Sequence, residues 1–374
     1  MTGRRVIVHG PHPDMPTGYA NQLREIVPRL ARDGWEVAIS CTAGIVRHNT
    51  AWRGFPVYGR SPYTDMAEDL IGHHYEDFGA DLVITLCCPW KLHGQVWQPM
   101  RTIHLMPVDR DPLGRLDWEL LATSGGMPAA VSRFGERVLR DKGLDPLYLP
   151  HAVDTSRWRP PADRAALRRA NGLDHLFTVG LNASNTDPAD RKSFYETFAG
   201  FARFRAQHPM SVLLVHAASV APDGLNLTAM ARHLGITESV IFSNQYQLAG
   251  AGAPDEALAA WYGMQDVHVL VSKGEGYGIP LAEAQACGTP VITMGWSTGP
   301  ELAGPGWTVD GQPGWNNGHA ADWHVPFIDS IADRLGQAHA AAGARREAAR
   351  QFAAEHLDYD RAWKEHWVPV LESL

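Results

Sequence analysis

Residues 272–292 read SKGEGYGIPLAEAQACGTPVI. The apolar residues 267–271 precede them and predict a buried strand that leads into a loop with three glycines. Pro280 stands where the first residue of a helix belongs, because proline lacks the N–H that has no partner at that position. The helix would end at Gly288, before another apolar strand. The stretch therefore predicts a strand, a glycine loop and a helix N-terminus in succession.

A helix N-terminus of this kind favours a phosphate group. Its first N–H groups have no intrahelical partners, and the helix dipole places about half a positive charge there. Two carboxylates flank this predicted cradle, Glu275 before it and Glu283 inside the helix. Because a carboxylate would repel a phosphate, we expect both to face hydroxyl groups. A ligand with phosphates between two polyols, a sugar nucleotide, fits this pattern, and an ordinary connection with solvated glutamates is the alternative.

The same stretch resembles the Glu-x7-Glu motif of glycosyltransferase family four, a large family of retaining enzymes with the GT-B fold. The resemblance implies that Glu283 holds the nucleotide ribose and that Glu275 contacts the transferred sugar. The residues whose amides would bind the diphosphate lie between the two acids: Gly276, Tyr277, Gly278 and Ile279.

A leaving diphosphate also needs cations, because negative charge accumulates on it as the bond to the sugar breaks. In the family these often follow the first strand of the second domain, and here that region contains Arg191 and Lys192. Many relatives have an arginine just after a glycine in this region, where this chain has Asn182. The resemblance implies that Lys192 and Arg191 bind the diphosphate. The alternative is a solvated helix N-terminus, where cations are slightly unfavourable.

Two segments in the first half resemble parts of the family that face the donor from the acceptor side. Residues 9–20 form a loop in which the family often has a glycine pair, and this chain keeps only Gly18; a simple turn is the alternative. Many relatives also have His-Asp at the end of a later strand. In those relatives the histidine reaches the transferred sugar. If Asp109 matches the aspartate, Val108 occupies the histidine position, so either His104 contacts the sugar instead or this contact is missing. We favour Asp109 as the polar residue of the cleft.

The chain shows little sign of a metal site. Asp109-x-Asp111 imitates the metal-binding pair of the other major glycosyltransferase fold, and hard cations do accept paired carboxylates. This pair, however, lies in the half of the chain opposite the phosphate cradle. The 18 histidines form no metal-ligand pattern on a helix. We expect no metal and no cofactor, with a UDP- or GDP-linked sugar as co-substrate.

The composition is that of an ordinary globular enzyme, with 374 residues, 45% hydrophobic and 20% charged. No apolar run approaches the roughly 18 residues that span a bilayer, and the N-terminus lacks a signal-peptide pattern. Four cysteines without metal-ligand spacing indicate free thiols in a reducing cytoplasm. The excess of acidic residues that gives the net charge of -8 lies after residue 160. The sequence contains no stripe of clustered Lys and Arg residues of the kind that binds nucleic acid, so a polyanionic acceptor is disfavoured.

Apolar strand-like runs alternate with helical patterns, which predicts parallel α/β layers. The predicted strands are residues 5–9, 36–41, 82–86, 102–105, 129–131, 147–149, 176–181, 211–215, 240–242, 267–271 and 290–294. Predicted helices include residues 19–32, 133–142 and 194–207. The Trp- and Gly-rich residues 307–323 are expected to form a loop that packs on the core, with stacking on a base or a sugar as the alternative.

Pro160-Pro161 follows a natural linker. We expect an N-terminal, acceptor-side Rossmann-like domain over residues 1–160 and a nucleotide-sugar-binding one over residues 171–357. The resemblance implies the GT-B fold, an α/β architecture in which two such domains face each other across a cleft. It also implies that the C-terminal helix, residues 358–374, crosses back to the N-terminal domain.

The sequence thus favours a metal-independent, retaining glycosyltransferase that moves a sugar to an acceptor hydroxyl. The acceptor could be a glycan, a small molecule, a protein or a modified nucleic acid. One alternative is a sugar-nucleotide epimerase or a phosphorylase on the same fold. Another is a non-catalytic protein that binds a sugar or a nucleotide.

Overall fold

The computed structural model describes residues 4–45, 47–250 and 252–374. These residues form two compact units. The first contains the described residues up to His151, together with Asn316–Ala321 and His366–Leu374. The second contains Ala152–Trp315 and Asp322–Glu365. The division at His151 precedes the linker at Pro160, so this junction differs from the domain bounds expected from sequence.

The first unit is built on a sheet that has eight strands within the described residues. The strands are β1 Arg5–Gly10, β2 Glu36–Cys41, β3 Thr50–Trp52, β4 Phe55–Tyr58, β5 Leu82–Thr85, β6 Thr102–Met106, β7 Met127–Ala130 and β8 Leu147–Tyr148. Their order is β3-β4-β2-β1-β5-β6-β7-β8, and all pairs are parallel except β3 with β4. The helices are α1 Gly18–Arg32, α2 Glu68–Phe78, α3 Arg115–Ser124 and α4 Arg133–Asp141.

The second unit is built on a parallel sheet with the order β11-β10-β9-β12-β13-β14. Its strands are β9 Phe177–Asn182, β10 Ser211–His216, β11 Val240–Phe242, β12 Val267–Leu270, β13 Val291–Met294 and β14 Trp307–Val309. A separate two-stranded sheet follows, with β15 Gly311–Asn316 and β16 Ala321–Pro326. It occupies most of the segment predicted to be a loop.

The remaining helices begin with five that lie between Ala152 and β12 in the sequence: α5 Arg164–Ala170, α6 Phe194–Gln207, α7 Leu227–His233, α8 Gln245–Ala249 and α9 Asp255–Met264. They continue with α10 Ile279–Ala286, α11 Gly299–Leu302, α12 Ile328–Ala340, α13 Arg346–His356, α14 Tyr359–Ala362 and α15 Val368–Ser373. A π-helical turn, Trp363–Trp367, joins the last two.

Both sheets place apolar strands at their centres. Strands β1 and β12 consist almost wholly of buried residues, because strands of a parallel sheet are covered by helices on both faces. In each sheet the chain first builds outward on one side and then returns to add strands on the other. The return lies between β1 and β5 in the first unit and between β9 and β12 in the second. Loops that follow the strands at such a point form the usual ligand-binding crevice.

The C-terminal residues belong to the first unit. The indole nitrogen of Trp367 donates a hydrogen bond to the carbonyl of Pro150 at 3.1 Å. The Arg4 guanidinium donates to the carbonyl of Leu371 at 2.9 Å, and Arg101 donates to that of Leu374 at 2.7 Å. These contacts bind residues 366–374 to the first unit.

Candidate functional site

The predicted donor residues of the second unit lie where its sheet changes direction. Arg191 and Lys192 follow β9, and Glu275 follows β12, the strand that pairs with β9. Because the strands are parallel, both loops emerge at the same edge of the sheet. The topology therefore brings together two segments that are more than 80 residues apart in the sequence.

Glu275 is held by cations and hydroxyl groups. Its Oε1 accepts hydrogen bonds from Lys192 Nζ and, at 2.7 Å, from the Ser272 hydroxyl. Arg191 Nη1 lies 3.8 Å from Oε2. The Ser297 hydroxyl accepts from the Glu275 N–H at 3.1 Å and donates to its carbonyl at 2.6 Å. Burial alone would raise the pKa of Glu275, but Lys192 and Arg191 outweigh it and lower the pKa below the ordinary value, so the carboxyl is ionised.

The predicted phosphate cradle is the N-terminal end of α10. The helix begins at Ile279, so Pro280 is its second residue rather than its first. A backbone N–H would have no intrahelical partner at either position, so the N–H that proline lacks is not needed there. Gly278 precedes the helix with φ +98°, a backbone conformation in which a residue with a side chain would be strained. The carbonyl of Tyr277 accepts a hydrogen bond from the Thr298 hydroxyl at 2.8 Å. These restraints fix the backbone of the loop that would meet the diphosphate.

The loop that carries the two cations is attached to the same motif. Arg191 Nη1 donates to the carbonyl of Gly274 at 2.7 Å, and the N–H of Lys273 donates to the carbonyl of Arg191 at 2.8 Å. Asp190 caps α6, because its carboxylate accepts from the N–H groups of Phe194 and Tyr195. The helix N-terminus is thus satisfied by an acid, and the cations are directed to Glu275.

Glu283 is buried inside α10, with 2% of its surface exposed. Its Oε2 accepts a hydrogen bond from the Tyr262 hydroxyl at 2.7 Å. The same hydroxyl accepts from Asn182 Nδ2 at 2.6 Å. Tyr262 lies in α9 and Asn182 ends β9, so three separate elements position this carboxylate. The sequence analysis did not single out Tyr262.

The sequence analysis also missed Lys273. This lysine is buried beside the motif, with its Nζ 3.5 Å from Glu196 Oε1 and 5.5 Å from the ring centroid of Trp323. Nearby, the rings of Trp296 and His324 stack at 4.4 Å. Trp323 and His324 lie in β16, so part of the Trp-rich segment packs beside the site. The many aromatic residues of that segment were the feature of the sequence that could have indicated this packing.

The first unit holds the remaining predicted residues. Gly18 is the first residue of α1, which Thr17 caps by accepting from the Ala20 N–H at 3.2 Å. A side chain at Gly18 would meet no heavy atom within 4 Å, so the backbone there is open. Asp109 pairs with Arg110, with a distance of 2.5 Å from its Oδ1 to Nη2.

His104 lies inside the sheet of the first unit. It lies in β6 and is 0% exposed, with Nδ1 3.1 Å from the Thr85 hydroxyl and its ring edge-on to Trp97. Burial lowers its pKa to about 4, so the ring is neutral. Because strand β6 continues to Met106, residue 104 falls within the sheet rather than at its edge. Of the two residues weighed for this role, Asp109 alone lies in the loop that follows the strand.

The described ranges, 4–45, 47–250 and 252–374, contain no group of three or more His, Cys, Asp or Glu residues placed to hold a metal ion. Asp111, one half of the suggested metal pair, instead accepts a hydrogen bond from Arg137 at 3.0 Å. The other half, Asp109, is paired with Arg110. Across the same ranges, no helix combines the length and apolar character needed to cross a membrane.

Known proteins match this chain in sequence. Residues 191–322 match the sequence model of the family described as glycosyl transferases group 1. A D-inositol 3-phosphate glycosyltransferase of Rhodococcus jostii is 28% identical over 244 residues, 64% of this chain and 51% of that protein. A GDP-mannose-dependent alpha-(1-6)-phosphatidylinositol monomannoside mannosyltransferase of Mycolicibacterium smegmatis is 27% identical over 328 residues, 82% of this chain and 78% of that protein. The chain thus spans about half the length of the first of these relatives.

Solved structures show the same fold. Sucrose-phosphate synthase of Thermosynechococcus elongatus superposes with a TM-score of 0.77 at 18% identity, covering 99% of this chain and 100% of that one. HepE of Anabaena, solved in complex with UDP-glucose, gives a TM-score of 0.74 at 14% identity and covers all of both chains.

The fold is of the GT-B type, which confirms the predicted fold class. Residues 191–322 match the model of the family described as glycosyl transferases group 1, in line with the resemblance that the motif carries.

Proposed function

We propose that this protein is a retaining, metal-independent glycosyltransferase that uses a nucleoside-diphosphate sugar. One observation carries the proposal: Lys192 and Arg191 converge on Glu275 in the loop that leads into α10. Their two positive charges exceed the single negative charge of Glu275. The dipole of α10 adds about half a positive charge at the helix N-terminus, where this loop ends. This combination attracts a diphosphate and stabilises it as a leaving group.

Each donor group has a partner in this arrangement. The amides of Gly276 to Ile279 receive the diphosphate, Glu283 receives the ribose hydroxyls and Glu275 receives a hydroxyl of the sugar. Donor binding exchanges partners, because Lys192 and Arg191 turn from Glu275 to the phosphates and leave its carboxylate for the sugar. Catalysis then depends on positioning and on neutralising the leaving group. Because two side-chain cations supply this charge, no metal is needed.

The acceptor hydroxyl is proposed to bind at the first unit, next to Asp109 and the open backbone of Gly18. The names of two relatives specify an inositol phosphate and a phosphatidylinositol mannoside as acceptors. We therefore propose a polyol acceptor, and inositol phosphate is the first compound to test. A cytoplasmic location is part of the proposal and depends on the sequence argument that the four cysteines are reduced thiols.

Donor binding and turnover test this function directly. A thermal-shift panel of UDP-, GDP-, ADP- and TDP-sugars identifies the donor, since a ligand at about 100 times its dissociation constant stabilises a protein by about 2.7 kcal/mol. With that donor, Glu283→Ala and Lys192→Ala should each reduce kcat/KM by about 100-fold, because each removes a charged contact worth about 2 to 3 kcal/mol. Turnover should persist in EDTA, and the product should keep the anomeric configuration of the donor.

Lys364→Ala is the matched control, because Lys364 is an exposed lysine of the same unit. It should leave turnover unchanged. Wild-type turnover in both Glu283→Ala and Lys192→Ala would refute the proposed site. Loss of activity in EDTA would refute metal independence.

A further inference from the structure

Tyr262 connects Asn182 and Glu283, two residues that are far apart in the sequence. Its ring is 0% exposed in α9, between the end of β9 and the middle of α10. The hydroxyl accepts from Asn182 Nδ2 at 2.6 Å and donates to Glu283 Oε2 at 2.7 Å. Both distances are those of well-formed hydrogen bonds. Asn182, Tyr262 and Glu283 therefore form one continuous chain of hydrogen bonds, which we call the Asn–Tyr–Glu chain.

The direction of this chain follows from the chemistry of its members. An amide NH2 group can only donate, so the phenol oxygen accepts from Asn182, and the phenol proton is then available to donate to Glu283 Oε2. Burial, and then the charge of Glu283, raise the pKa of Tyr262 well above its ordinary value. The phenol therefore stays protonated and keeps its proton directed at Glu283. The hydrogen bond to Oε2 restrains the rotation of the Glu283 carboxylate.

The Asn–Tyr–Glu chain also gives the Asn182 amide a role within the second unit. In this structure the Asn182 amide is used inside the unit, as the first donor of the Asn–Tyr–Glu chain. The cations of the site instead come from Arg191 and Lys192, which lie further along the same loop.

We propose that Tyr262 is a positioning residue for nucleotide recognition: through its hydrogen bond it holds Glu283 in the orientation that binds the ribose hydroxyls. The inference rests on the proposed function, because it assumes that a nucleotide binds at α10. It assigns to this chain a residue that acts through Glu283 without touching the ligand. Its effect should therefore depend on the ribose hydroxyls and on no other part of the nucleotide.

The test measures calorimetric affinities of wild type and Tyr262→Phe for UDP and GDP and for their 2′,3′-dideoxy analogues. Phenylalanine keeps the packing of the ring and removes the hydroxyl. For the preferred nucleotide, Tyr262→Phe should weaken binding about tenfold, the effect expected for losing a hydrogen bond to a charged group. For the dideoxy analogue, wild type and variant should bind equally, because the hydroxyls that Glu283 recognises are absent.

Tyr58→Phe is the control. Tyr58 is also buried, and its hydroxyl donates to Asp77 at 2.7 Å in the first unit. This variant should lose a similar hydrogen bond and keep wild-type affinity for all four nucleotides.

Each outcome identifies what fails. If wild type binds neither UDP nor GDP, the proposed function fails and the inference fails with it. If wild type binds a nucleotide and its dideoxy analogue equally, the ribose role of Glu283 is wrong, and so is the inference. If wild type discriminates between them but Tyr262→Phe behaves like wild type, or weakens both ligands alike, the inference alone is overturned.

Discussion

Two buried acids of this protein have pKa values that are shifted in opposite directions. Burial acts first on both and raises the pKa of each carboxyl. At Glu275 the cations Lys192 and Arg191 outweigh burial, and the pKa falls below its ordinary value. At Asp117 burial prevails over Arg110, and Asp109 adds to it, so the pKa rises to about 6. Glu275 therefore stays ionised, whereas Asp117 is largely protonated and uncharged at mildly acidic pH.

Asp117 gives a prediction about pH. Its stabilising effect is fully present below the ordinary pKa of 3.8 and is lost as the pH rises through about 6, because the folded protein must then ionise a buried carboxyl. Asp117→Asn removes that cost. We expect the variant to be more stable than wild type at pH 7, by about 1 to 3 kcal/mol. The gain should disappear near pH 4, and urea unfolding at several pH values measures it.

The exposed pair Arg115–Glu119 supplies a control on the same helix. Glu119→Gln should change stability by less than about 1 kcal/mol at any pH. An Asp117→Asn effect that is the same at pH 4 and pH 7 would contradict the shifted pKa.

At the scale of single residues, the sequence predicted the parts of the site that lie within one short segment. Glu275, Glu283 and the loop between them could be identified because their spacing is local. Tyr262 and Ser297 could not be identified, since their contacts with the two acids arise only when separate elements pack together. His104 was proposed because it precedes Asp109 in the sequence, yet its position within β6 buries it.

At the scale of elements, the apolar strands were predicted well and the irregular ones were not. Strand β2 and helix α6 have the predicted bounds, because their patterns of buried residues are strong and their ends are clear. Strands β3 and β4, at the edge of the first sheet, were missed. Strands β15 and β16 were missed as well, since their glycine, proline and polar residues have low strand propensity and pair mainly with each other.

The loop before α6 yields a prediction at this scale. Asp190 and Ser193 both have left-handed backbones, with φ values of 54° and 53°, and Asp190 caps the helix. Arg191 and Lys192 lie between them. Asp190→Ala should destabilise the protein by about 1 to 2 kcal/mol, because two N–H groups lose their acceptor. It should also weaken binding of the nucleoside diphosphate, since the loop that presents the cations is no longer anchored.

Asp190→Asn separates the contributions, because asparagine tolerates the left-handed conformation and keeps one acceptor oxygen. We expect stability and affinity between those of wild type and Asp190→Ala. Chemical denaturation and calorimetric titration measure the two effects. Full nucleotide affinity in Asp190→Ala would show that the cations are positioned without this cap.

At the scale of the whole molecule, the chain leaves the first unit near His151, returns to it briefly at Asn316–Ala321, and returns again at His366. The sequence predicted such a return through the family resemblance, with residues 358–374 as the returning segment. The structure assigns only the last nine of these residues to the first unit. That boundary depends on contacts such as the one between Trp367 and Pro150, which are separated by 217 residues, so local patterns cannot fix it.

Trp367 therefore tests whether the returning segment stabilises the first unit. It is 0% exposed and donates its indole N–H to the Pro150 carbonyl at 3.1 Å. Trp367→Ala should lower the unfolding free energy of that unit by about 3 to 5 kcal/mol, the usual cost of removing a buried aromatic side chain. Nucleoside diphosphate affinity should stay at the wild-type value, because the proposed donor residues belong to the second unit. Trp315→Ala, at a residue 61% exposed, should change stability by about 0.5 kcal/mol or less. Guanidinium unfolding with and without nucleotide measures both variants, and equal stability of Trp367→Ala and wild type would show that the first unit folds without this anchor.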